Sequence, residues 1–311
     1  MKVNFWQRSV DEIQNMLQLT NDNVAILEGT SDIEALESFF KSETHIAETS
    51  GKPNAKEVVK KLTLDQEVDN NRFIAICDND YDRFVGKDYS KSWPKNYYYL
   101  DCHSLDSFIL TSNSLIEKIL NHFSAKSLLE KFDSIEDFKI RLFKAATPLG
   151  KIRLISQINR YNLDFKLLEE KARDCYDCNK LSKTVPYNNL IDASSLDLKD
   201  PMQALSKLLD LICLKKNSGA KFSTKIISSY KNLKINDKKL CNIANGHDVA
   251  SILAFLIRFN SKSLNGKRCS KKLLENKMYR FYGDLGDHLI ECSFIKDLRN
   301  IGRLEDFFNL K

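Results

Sequence analysis

Four short apolar runs limit what this chain can become: "NVAILEG" (23–29), "THIAET" (44–49), "NRFIAICD" (71–78) and "KNYYYLD" (95–101). Each is too short for a helix of ordinary length, and the first and third are too uniformly apolar for a strand with one wet face. Such runs read as strands buried on both sides. Between them lie helix-patterned stretches. "SDIEALESFF" (31–40) opens with Ser31 and Glu34 spaced as a capping box, and "NAKEVVKKL" (54–62) follows the turn "SGKP" (50–53). "FWQRSVDEIQNMLQL" (5–19) precedes the first strand and "SLDSFIL" (104–110) follows the fourth. Strands separated by helices cannot pair as hairpins, so the pattern predicts a mostly parallel sheet covered by helices.

Past Thr111 the pattern changes. "SLIEKILNHF", "SIEDFKIRLFKA", "GKIRLISQINRY", "MQALSKLLDLICLKK" and "HDVASILAFLIRF" carry helical periodicity. The expected organisation is an α/β domain over 1–111 and a mainly helical domain over 112–311, with a loop or hinge at 184–201. Charge divides similarly. Residues 1–115 hold 12 Lys+Arg against 19 Asp+Glu, leaving 36 and 23 of the totals of 48 and 42 for residues 116–311. A basic helical half suits a polyanion such as nucleic acid, and the stretches 215–225 and 265–272 are candidate phosphate contacts.

The longest apolar run, "SILAFLI" (251–257), is far short of the ~20 residues of a membrane span, so no membrane association is expected. The first residues lack the apolar segment of a secretory signal. Eight scattered cysteines suit reduced thiols, hence a cytoplasmic protein. "CYDC" (175–178) has half the spacing of a zinc site and no second half in the sequence.

Chemistry concentrates at two strand ends. Glu28 closes the first run, and "CDNDYD" puts Asp78, Asp80 and Asp82 at the end of the third. Ligands of parallel sheets gather beyond the carboxyl ends of the strands. If these strands are neighbours, the carboxylates meet and repel, raising one another's pKa. A hard divalent cation, Mg²⁺ or Mn²⁺, relieves that conflict and polarises phosphates. Glu28 is the candidate ligand and general acid–base, with Asp78 and Asp80 as ligands. Asp82 is a candidate outer group, and Lys52 and Lys87 are candidates for stabilising charge on a phosphate. An EF-hand reading fails because Arg83 and Tyr89 stand where that loop needs Gly and Glu. A haloacid-dehalogenase reading leaves Glu28 and Gly29 unexplained.

"ILEGTSD" with Glu28 and Asp32, followed about fifty residues later by "AICDNDYD", resembles the Toprim domain of topoisomerases, primases and overcoming-lysogenization-defect nucleases. The resemblance covers residues 1–110 and implies a Toprim fold with metal held by Glu28, Asp32, Asp78 and Asp80. "YYYLDCHSLDSFIL" (97–110) and "NGHDVASIL" (245–253) are similar to stand-alone Toprim effectors of the PARIS anti-phage system. That narrower resemblance implies a toxic, metal-dependent endonuclease cleaving host tRNA. It also implies sequestration by an ABC-type ATPase and a homodimer when active. Such proteins have His-x-x-Glu where this chain has His103 and Asp106, which makes Asp106 a further candidate ligand. The alternatives are a DNA-cleaving Toprim nuclease and an inactive module that binds nucleic acid or the ATPase.

Overall fold

The computed structural model describes residues 9–161, 163, 165, 191–192, 195–197, 209, 219–234, 236, 240–261, 263 and 269–310. The "CYDC" pair, the helix-patterned stretch 202–216 apart from Leu209, most of the loop 184–201 and much of both basic stretches lie outside those residues. Two compact units make up the chain: Met1–Leu105 with Tyr279–Lys311, and Asp106–Met278. The carboxyl-terminal segment therefore belongs with the sheet, where the sequence boundary at 111 assigned it to the helical part.

In the first unit, strands β1 (Asn23–Leu27), β2 (Thr44–Glu48), β3 (Phe73–Cys77) and β4 (Tyr97–Tyr99) form one sheet. The order is β2-β1-β3-β4, with every neighbouring pair parallel. Helices α1 (Val10–Leu19), α2 (Thr30–Leu36) and α3 (Lys52–Leu64) connect and cover it. Ile13 and Leu17 of α1 and Val58, Val59 and Leu62 of α3 share a buried cluster with Val24, Ile26, Phe73, Ala75, Tyr97 and Tyr99. Those strand residues alternate, so they line one face of the sheet.

The opposite face meets the carboxyl-terminal segment. Tyr98 packs on Phe294, Phe294 on Phe308, and Phe308 stacks on and bridges Phe40. Buried Arg303 donates to the carbonyls of Lys95, Asn71 and Phe73, tying the segment to β3 and the entry of β4. With both faces covered, the central strands are apolar throughout β3 and after Asn23 in β1, whereas edge strand β2 carries Thr44, His45 and Glu48.

The order carries a functional consequence. From β1 the chain steps outward to β2, then crosses back over β1 to β3 and continues to β4. Direction reverses between β1 and β3, and crevices for ligands open at such reversals, beyond the carboxyl ends of the strands.

The second unit is helical. It begins within α4 (Leu105–Ile109) and continues through α5 (Asn113–His122), α6 (Ile135–Ile158), α7 (Gly219–Asn232), α8 (Leu240–Ile243), α9 (Gly246–Asn260) and α10 (Lys271–Met278). Ile116, Ile119, Phe138, Leu142, Ile152, Val249, Leu253 and Leu256 are among its fully buried residues. Gly150 in α6 lies so close to Ile243 that any Cβ there would collide with the Ile243 carbonyl. Arg153 of α6 meets Asp248 of α9 through two nitrogens, at 3.1 and 3.2 Å. Among the described residues no helix is long and apolar enough to cross a membrane. Cys77, Cys102, Cys241, Cys269 and Cys292 are not joined in disulfides.

Candidate functional site

Glu28 follows β1 directly and Asp78 follows β3 directly, and these strands are hydrogen-bonded neighbours in parallel register, Leu27 opposite Ile76. Glu28 Oε1 accepts the backbone N–H of Asp78 at 2.8 Å. Asp78 Oδ1 accepts the backbone N–H of Leu105 at 2.8 Å. The two acidic motifs, fifty residues apart in the chain, thus meet at the β1/β3 reversal.

The surrounding turns complete the group. Asp32, in the first turn of α2, accepts the Gly29 N–H at 3.0 Å, which holds the segment just after Glu28. The "SGKP" turn docks on the same place, because Gly51 N–H donates to the Glu28 carbonyl at 2.6 Å. Gly51 has φ 110, a conformation open to glycine and strained for other residues. Pro53 sits in the first turn of α3, where its missing N–H costs nothing. Lys52 is thereby carried to the acidic residues, with Nζ 2.7 Å from Asp80 Oδ2 and 3.4 Å from Asp82 Oδ2. Asp82, which is buried, also accepts the Tyr99 hydroxyl at 3.3 Å. Asp80 has φ 45, and its N–H donates to the His103 carbonyl at 2.7 Å. The His103 ring nitrogen Nδ1 lies 3.9 Å from Asp80 Oδ1.

Electrostatics follow from this crowding. Burial pushes Glu28 from 4.5 up to about 7; Lys52 and the Asp78 N–H oppose the rise, and Asp32 and Asp80 add to it. Asp78 is raised well above the carboxylate range by burial and then by Asp32, Glu28 and Asp80. Lys52 keeps its proton more firmly than a free lysine, since Asp80, Asp82 and Glu28 outweigh the effect of its burial. One ammonium thus offsets part of the negative charge.

All-oxygen donors of this kind suit Mg²⁺ or Mn²⁺. The raised carboxyls of Glu28 and Asp78 retain a charge conflict that a cation would remove. The chemistry of the donor set fits a hard divalent ion. The side chains are not drawn into a coordination shell: Asp80 is turned to Lys52, and Glu28, Asp78 and Asp80 do not have ligand atoms all within 4.8 Å of one another.

Asp106 has other partners. Its Oδ2 lies 3.2 Å from His247 Nδ1, and His247 Nδ1 lies 2.8 Å from Glu275 Oε1. Among the described residues this trio does have ligand atoms all within 4.8 Å. His247 and Glu275 were not distinguishable as site candidates in the sequence, although "NGHDVASIL" contains the histidine. Lys87 presents an exposed side chain. Its backbone closes the 82–87 loop, with N–H on the Asp82 carbonyl at 2.8 Å and its own carbonyl accepting the Tyr99 hydroxyl at 3.1 Å. Of the two candidate lysines, Lys52 is the one beside the carboxylates. A scan against protein-family models and a search of curated proteins found no match for this chain.

Proposed function

We propose that the β1/β3 crevice is a Toprim-type, metal-dependent phosphodiester-hydrolysing site, and that the chain is an endonuclease. The observation that carries this reading is the bond between Glu28 and the Asp78 N–H, which joins the two acidic motifs at the carboxyl edge of a parallel sheet. Further support comes from Asp32, Asp80 and Lys52 around it.

Mg²⁺ or Mn²⁺, when bound, supplies Lewis-acid polarisation of the scissile phosphate, held by Glu28, Asp78 and Asp80 with Asp32 beside them. Glu28 handles the proton: its carboxylate takes one from the attacking water and, once protonated, returns it to the leaving oxygen. Lys52 offers its ammonium to the charge that develops on the phosphate oxygens. Asp82 and Tyr99 hold that lysine's side of the crevice. Asp106 joins this site only if it leaves His247, and Lys87 only if its side chain turns inward.

The substrate, on this reading, is a host tRNA, and the protein is an anti-phage effector in the cytoplasm. It is restrained by an ABC-type ATPase and active as a homodimer. The Lys52–Asp80 pair favours a second reading, an inactive Toprim module in which the ammonium takes the place of the cation. Incubation of the full chain with total RNA and plasmid DNA, with and without Mn²⁺ or Mg²⁺, separates the two. The nuclease reading expects cleavage that needs the metal, disappears in Glu28→Gln and leaves mappable ends in tRNA. Absence of cleavage of either polymer by the folded dimer supports the module, and cleavage confined to plasmid replaces tRNA with DNA.

A further inference from the structure

We propose that Asp106, His247 and Glu275 form a second cation site, taking a divalent first-row transition ion through one imidazole nitrogen and two carboxylate oxygens. The site lies within residues 106–278 and goes beyond the reading of the strand tips.

Three helices bring the donors together: Asp106 stands on α4, His247 in the first turn of α9 and Glu275 on α10. The nitrogen-to-oxygen separations are 2.8 and 3.2 Å. Donors bound about 2.1 Å from one ion at octahedral or tetrahedral angles lie roughly 3.0–3.4 Å apart. The ring is held from its backbone. The His247 N–H donates to Asn245 Oδ1 at 2.9 Å, and the Ser251 hydroxyl donates to the His247 carbonyl at 2.7 Å.

A second observation points to a cation rather than a hydrogen-bonded trio. Both carboxylates face the same ring nitrogen, Nδ1, which carries at most one proton. Glu275 takes the hydrogen bond at 2.8 Å. Asp106 is buried and meets that nitrogen at 3.2 Å as a charge contact only. One N–H shared between two acceptors makes at best a weakened three-centre bond, and here only Glu275 takes it, whereas one metal ion binds both carboxylates fully. Lys271 stands 3.6 Å from Glu275, one helical turn away, and is the competing cation. The mixed nitrogen and oxygen donor set selects Mn²⁺ or Zn²⁺ over Mg²⁺. His247 is half exposed, so solvent has access to the remaining coordination positions.

The test uses the full chain carrying Asp78→Asn, which disables the strand-tip site and leaves this one intact. Equilibrium dialysis against Mn²⁺ or Zn²⁺ alone is expected to show binding that weakens at least tenfold when His247→Ala is added. Pulsed electron paramagnetic resonance of the Mn²⁺ form should show nitrogen coupling from a directly bound imidazole, absent in His247→Ala. Circular dichroism verifies that both chains are folded. Equal binding in the two chains, binding without nitrogen coupling, or no binding by the folded Asp78→Asn chain would each reduce the trio to an ion-paired histidine. None of these results depends on nuclease activity, so this proposal and the strand-tip reading fail separately.

Discussion

Replacing Glu28 by glutamine is expected to stabilise the metal-free protein above neutral pH and to change it little at pH 5. Glutamine keeps an oxygen to accept the Asp78 N–H, now at 2.8 Å, and removes the charge. Glu28 rises from 4.5 to about 7, through burial first and then Asp32 and Asp80, so the folded chain holds this proton more tightly than the unfolded chain. Stability linked to the protonated carboxyl is therefore complete below pH 4.5 and is lost as pH rises to about 7. At about 1.4 kcal/mol per pH unit, the full cost at pH 8 is about 3 kcal/mol. Partial exposure of Glu28 and its coupling to Asp78 reduce the expected gain to about 2 kcal/mol. Urea unfolding of wild type and Glu28→Gln in chelator, at pH 5 and pH 8, measures it. At pH 8 the variant should be the more stable, and at pH 5 the two should agree within about 0.5 kcal/mol. Added Mn²⁺ should then stabilise the wild type and not the variant through this site. A variant less stable than wild type at pH 8 without metal would refute the reasoning, because charge crowding would not be the dominant strain at the strand tips.

Two further substitutions probe the supports of the crevice. Lys52→Met keeps the apolar stem and removes the ammonium from Asp80 and Asp82. A loss of about 1–2 kcal/mol at pH 7 is expected after allowance for the exposure of Asp80. Glu28 and Asp78, both held down by Lys52, should titrate still higher in carbon-detected NMR; unchanged titration would remove Lys52 from the electrostatic group. Arg303→Ala deprives the carbonyls of Lys95, Asn71 and Phe73 of a buried donor. Its expected cost is about 3 kcal/mol in urea unfolding, and a cost below about 0.5 kcal/mol would mean that the carboxyl-terminal segment is not held to the sheet through this residue.

Much of the local structure is legible without coordinates. The run expected at 23–29 is β1 over Asn23–Leu27, that at 44–49 is β2 over Thr44–Glu48, and that at 71–78 is β3 over Phe73–Cys77. The central strands β1 and β3 announce themselves as apolar runs buried on both faces, and the first polar residue after each marks its end; edge strand β2 is legible from its length and position. Glu28 and Asp78 are those first polar residues, which is why the acidic pair was also readable. The helix expected over 31–40 stops at Leu36 and tightens into a 3₁₀ turn over Glu37–Phe39, a local change that periodicity does not separate from a continuous helix.

What local pattern does carry is the identity of the elements, the parallel character of the sheet and the residue types gathered at its edge, because backbone geometry and burial act over a few neighbours. Only the tertiary structure shows the order β2-β1-β3-β4, which makes the tips of β1 and β3 adjacent. It alone brings Lys52 rather than Lys87 to the carboxylates, returns Arg303 and Phe308 to the sheet, and sets His247 beside Asp106. Those pairings join residues separated by long stretches of chain. They are selected by which faces must be covered and which charges must be compensated at the same time, a requirement of the folded whole that no short window of sequence contains.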